Sequence, residues 1–156
     1  MSVDIDNLIA QRAERLAYLA LTRRNDLSVF TPLGPNVGID FLVHIHDGNG
    51  VFSSSMEFGV AVKGRQALNK ATLPPTLQCE ALKQPDRFSQ SEMPVCAFLF
   101  FMDEDVGYYS WMREPIVHDG ARLQNNEDST FAHLDDAALD DIVARVKQWY
   151  RHRNAA

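Results

Sequence analysis

Eight consecutive apolar residues, Val95 to Met102 (VCAFLFFM), constrain this chain more than any other feature. A strand with one wet face alternates apolar and polar residues. An unbroken apolar run of this length, bounded by Pro94 and by Asp103-Glu104-Asp105, reads as a strand covered on both faces. It therefore predicts the centre of a sheet with layers on either side. The run is far short of the roughly 18 residues that a membrane span needs, and no longer one exists, so no membrane partner is expected. The N-terminus (MSVDIDNLIAQRAER) is acidic and then amphipathic, without a signal-peptide pattern, and a cytoplasmic location follows as the expectation.

The rest of the chain arranges itself around that strand. Residues 4–24 predict a helix: Ile5, Leu8, Ile9, Ala13, Leu16, Ala17 and Ala20 recur at spacings of three and four. Asp4 and Asp6 lie at its positive end, and Arg23 and Arg24 at its negative end. Leu27 to Phe30 is a short strand, followed by a Pro- and Gly-rich loop, Thr31 to Asn36. Val37 to His46 alternates, with Ile39, Phe41, Val43 and Ile45 on one face and Asp40, Leu42, His44 and His46 on the other. Asp47-Gly48-Asn49-Gly50 closes a hairpin. The return strand runs from about Ser55 to Lys63 and ends at Gly64. Gln66 to Gln90 is a polar connection with a short helix predicted at Leu77 to Leu82. Val106 to Met112 pairs antiparallel with the central strand, and Arg113 to Thr130 is irregular. Residues 135–151 form the last helix, with Leu139, Ile142, Val143, Val146, Trp149 and Tyr150 as its apolar stripe, and the tail from Arg153 frays. The expectation is an α/β protein of order α-β-β-β-α-β-β, a central mixed sheet spanning 27–112 flanked by helices, with a further C-terminal helix.

At 156 residues the chain predicts one domain, 1–156. Its net charge of −6 leaves no basic coat for tight, metal-free binding to DNA. Cys79 and Cys96 lack metal or redox spacing and read as buried thiols. His44-x-His46 shares one strand face but has no third ligand at matching spacing.

Three residues carry candidate chemistry: Glu14 on the first helix, Asp40 in Gly38-Ile39-Asp40, and Lys63 in Val60-Ala61-Val62-Lys63. By alternation, Asp40 and Lys63 project from the same face of adjacent strands into one site. Phosphodiester hydrolysis uses such a set. A carboxylate holds a divalent cation that activates water, and a lysine steadies the charge developing on phosphate.

These words, in this order, with Pro94-Val95 and Tyr109-Ser110-Trp111 after them, resemble the PD-(D/E)XK superfamily of restriction-endonuclease-like folds. Within it the resemblance is to the prokaryotic domain-of-unknown-function 4365 group, and it covers roughly residues 10–115. It implies a metal-dependent DNA endonuclease, acting in defence against phage or foreign DNA. Asp40 and the backbone carbonyl of Val62 would hold Mg²⁺ or Mn²⁺, Glu14 would assist metal or water, and Lys63 would stabilise the transition state. Nucleases of this fold often pair, so a homodimer is admitted. One departure stands out: the family's Gln or Glu two residues before the lysine is Ala61, whose methyl group ligates nothing. Glu57 shares that face but lies roughly 13 Å along the strand. The alternative is thus a catalytically impaired module of nuclease fold. It would bind a protein partner, within a defence assembly, or nucleic acid.

Overall fold

The structure, a computed structural model, describes residues 4–32, 38–46, 56–67, 75–79 and 88–154. The loop and turn predicted at 33–36 and 47–50, residue 55 and residues 80–82 of the predicted short helix lie outside the described residues.

Helix α1 spans Ile5–Thr22, and Asp4 caps it by accepting the Asn7 N–H at 3.3 Å. Strands β1 (Leu27–Phe30), β2 (Phe41–Ile45) and β3 (Glu57–Arg65) follow, then β4 (Thr76–Gln78), β5 (Val95–Phe101), β6 (Val106–Val117), β7 (Ala121–Asn125) and β8 (Thr130–His133). Helix α2 (Asp136–Asn154) closes the chain; Asp135 accepts the Ala138 N–H at 2.8 Å at its start. No helix among the described residues is long and apolar enough to cross a membrane.

The strands form one mixed sheet in the order β1-β2-β3-β5-β6-β8-β4, with β7 also paired to β6. Only β3 and β5 run parallel among the described pairs; the others are antiparallel. All seven residues of β5 are buried, as the apolar run requires of a strand with a core on each face. On one face Phe58, Val60, Val62, Phe98, Phe100 and Trp111 pack against Ala13, Ala17 and Leu21 of α1 and the apolar stripe of α2. On the other, Ala61, Ala97, Leu99, Phe101, Tyr108 and Met112 gather with Ile39, Phe88 and Phe131.

Arg153 and Asn154 continue α2 instead of fraying, Cys79 is only partly buried, and four further expectations need correction. Leu77 and Gln78 are in strand β4, not a helix, because their backbone pairs with β8 at Phe131 and Thr130. Arg113 to Thr130 is not irregular: β6 continues to Val117 and turns into β7 through Asp119 and Gly120, at φ 55° and 109°. Asp-Gly supplies the positive φ angles that a tight hairpin needs. Third, the chain stays in β3 past Gly64 to Arg65, since both residues pair with β5 at Phe100 and Phe101. Finally, α1 buries only the later part of its expected stripe, Ala13 and Ala17 with Leu16 and Ala20 packed beside them, and adds Leu21. Ala13, Ala17 and Leu21 face the sheet, while Ile5 and Leu8 are 57% and 51% exposed. Small residues stand at the contact because the helix sits close to β3. A Cβ on Gly64 would lie 2.7 Å from Ile9 Cγ2 and 3.0 Å from the Ile9 carbonyl oxygen.

Candidate functional site

Asp40 immediately precedes β2. Its N–H donates to the Val60 carbonyl at 2.9 Å, although the ladder pairs Val60 with Phe41. Two residues thus oppose one, the count of a β-bulge, and a bulge slips the alternation of side chains by one position. Ile39 drops into the second core beside Ala61 and lies over Gly59, with its Cδ1 2.9 Å from where a Cβ would stand. Asp40 turns toward α1 and into the plane of the sheet. There its Oδ2 accepts the Val62 N–H at 2.7 Å, taking the place of a β2 carbonyl beyond the end of that strand.

Glu14, one residue after the Ala13 that rests over Gly64, meets Asp40 at this point. Burial raises the Glu14 pKa above the usual carboxylate range; the negative charge of Asp40 and a hydrogen bond shared with it raise it further. Two carboxyl groups held this way favour a shared proton or a cation between them.

Lys63 is not brought to this pair. Paired with Leu99 on β5 and in phase with Ala61, it leaves β3 on the side of the second core and is exposed. The expected sharing of one face by Asp40 and Lys63 fails because the bulge takes Asp40 out of phase with Leu42 and His44 and turns it to the helix side. Ala61 is only 6% exposed and packed in the second core, so its position is not an open ligand site. Val62 directs its N–H, and with it its carbonyl, to the edge where Asp40 sits. Glu57 is engaged by His44, with Nε2 and Oε2 3.1 Å apart, while His46 is bonded to Ser28. The two histidines therefore have separate partners rather than a common ligand. Among the described residues no group of three His, Cys, Asp or Glu side chains is placed to hold a metal ion. The acid pair alone fits Mg²⁺ in part, since that ion is commonly held by one or two carboxylates and completes its shell with water and phosphate oxygens.

The sequence reading missed the groove beside this pair, where Gln11, Arg15, Tyr18 and Leu19 of α1 face Phe41 across a volume of about 530 Å³. The Tyr18 and Phe41 rings lie 6.1 Å apart, centroid to centroid. The signal was available: Tyr18 and Leu19 fall off the Ala13-Ala17-Leu21 ridge of the helix.

No family model, curated protein or solved structure matches the chain.

Proposed function

We propose that this protein keeps the frame of a restriction-endonuclease-like domain without a working metal shell, and acts by binding a partner rather than by cutting nucleic acid. The frame is suggested by one helix, the three antiparallel strands β1 to β3 and β5 running parallel to β3, with the Gly-Ile-Asp word leading into β2 and the Val-Ala-Val-Lys word in β3. The observation that carries the loss of catalysis is Ala61. The position that would supply the second ligand holds a methyl group inside the second core, so the cation loses a ligand and cannot regain it by a small shift. Lys63, on the far side of β3 from the acid pair, supports the same reading. The setting in defence against phage or foreign DNA rests on the resemblance alone.

The test incubates the protein with supercoiled plasmid and with single-stranded DNA, in Mg²⁺ and in Mn²⁺. The expected result is no cleavage above that of an Asp40→Asn preparation. Cleavage by the wild type that Asp40→Asn abolishes would overturn the reading in favour of a second one, a slow nuclease. The meeting of Glu14 and Asp40 favours that second reading. In it these two carboxylates and the Val62 carbonyl would hold Mg²⁺ or Mn²⁺, and Lys63 would have to reach around the edge of β3.

A further inference from the structure

Two opposite charges of α1 line one cavity without meeting each other. Gln11, Glu14, Arg15 and Tyr18 recur at spacings of three and four, which gathers them on one side of the helix. With Leu19, and with Phe41 of β2 opposite, they enclose a volume of about 530 Å³. Glu14 and Arg15 are sequence neighbours, so their side chains leave the helix roughly 100° apart and diverge instead of pairing. Among the described residues neither makes an ion pair. Glu14 shares a hydrogen bond with Asp40, a second carboxylate, which leaves more negative than positive charge at the cavity. The remaining wall is apolar. The Tyr18 and Phe41 rings stand 6.1 Å apart, and Tyr18 and Leu19 keep 47% and 58% of their surface exposed.

We propose that this cavity between α1 and β2 binds a free α-amino acid with an apolar side chain. Small-molecule sites combine apolar walls with a few placed polar groups, and here each group on the wall has a part of one ligand to hold. The ammonium belongs at Glu14, where it offsets the charge of the two carboxylates. The carboxylate belongs at Arg15, whose planar guanidinium suits it, with the Gln11 amide beside it. The side chain covers Tyr18, Leu19 and Phe41 and removes apolar surface from water. Ligands of one charge fit less well. A simple amine leaves Arg15 without an anion and adds a second cation near it. A nucleotide or another anion meets Glu14 and Asp40. A bare metal ion gains nothing from the aromatic wall. The peptide N-terminus has an ammonium but no α-carboxylate, so a free amino acid is favoured over a chain end. This site goes beyond the partner-binding reading and shares one premise with it, that Glu14 holds no metal ion.

Three probes separate the two charges: L-phenylalanine, L-phenylalaninamide, which lacks the carboxylate, and N-acetyl-L-phenylalanine, which lacks the ammonium. Binding to the full chain is read by calorimetry and by ¹H–¹⁵N chemical-shift changes, in EDTA and again in Mg²⁺. Phenylalanine is expected to bind with shifts confined to α1 and the start of β2, and each analogue to bind about tenfold or more weakly. Arg15→Gln should bind phenylalanine and its amide equally. Glu14→Gln should lose the preference for phenylalanine over the N-acetyl form. Arg12 lies outside the cavity, so Arg12→Gln should bind like the wild type. The melting temperature of each variant reports whether it folds, and the change in preference between probes is a readout that a loss of structure would not produce. No binding of phenylalanine, equal binding of all three probes by the wild type, or shifts away from α1 and β2 would overturn the proposal. Binding in EDTA that Mg²⁺ abolishes would support the cavity as the site and overturn the shared premise that Glu14 holds no metal.

Discussion

A carboxylic acid that is partly buried beside a second carboxylate holds its proton longer, and Glu14 is in that position against Asp40. Its raised pKa has a definite sign in stability. The folded state binds the Glu14 proton more tightly than the unfolded state does. Stability from this residue is therefore full at pH values below the ordinary glutamate range and is lost as the pH rises through the folded value. Glu14→Gln keeps the hydrogen bond and removes the charge. Its melting temperature should fall less than that of the wild type between mildly acidic and neutral pH, and should match or exceed it at neutrality. A variant that follows the wild-type pH curve would show that Glu14 does not feel Asp40. Ala61 gives the second residue-scale test. Ala61→Glu places an unpaired charge among Ile39, Ala97 and Leu99 and should cost about 3 kcal/mol or more in denaturant unfolding. A fully stable variant would mean that position 61 opens to solvent and can carry a ligand.

At the scale of elements, α1 is set by Gly64 as much as by its own residues. Gly64→Ala puts a methyl group within 3.0 Å of the Ile9 backbone oxygen, which a rotamer change cannot relieve. The helix must lift from β3, at a cost of about 1–3 kcal/mol measured by chemical denaturation. The same variant should also bring the Glu14 pKa back toward its usual value as the acid pair separates. The elements themselves were legible where one period dominated. The run in β5, the alternation of β2 and β3 and the stripe of α2 each point to one structure, and Phe98, Phe100, Val143 and Val146 are buried as expected. Less legible was anything decided by a neighbour. The bulge at Asp40 arises from pairing with Val60, so it leaves the polar pattern intact while moving Ile39 into the second core. The choice of α1's inner ridge depends on Gly64, fifty residues beyond Glu14 in sequence. The β6–β7 hairpin was readable from Asp119-Gly120, but its strands are too polar to announce themselves. At the site, the Glu14–Asp40 meeting followed from the motif words, while Lys63's separation did not.

At the scale of the whole molecule, the described residues form two cores divided by one sheet, and β5 belongs to both. Phe98 and Phe100 lie with the helices; Leu99 and Phe101 lie on the other face. Both tryptophans, Trp111 and Trp149, are in the helix-side core, at 5% and 3% exposure. Their fluorescence therefore reports that layer directly and the second core only through the sheet. Salt bridges add little to the coupling. Arg24 joins the end of α1 to Asp26, at 2.9 Å, and to Asp140 of α2, but both contacts sit near solvent. If β5 binds the layers into one cooperative unit, damage to either face must appear in both. Phe98→Ala should cost about 3–5 kcal/mol and Leu99→Ala about 2–5 kcal/mol, because each leaves a cavity in a packed interior. The informative variant is Leu99→Ala, whose lesion touches neither tryptophan's core. Its urea midpoint should fall by the same amount by tryptophan fluorescence as by far-ultraviolet circular dichroism, with one transition in each. A fluorescence midpoint that stays at the wild-type value while the dichroism midpoint falls would separate the layers. The helix-side core would then be the stable unit, and the second face a covering that opens on its own.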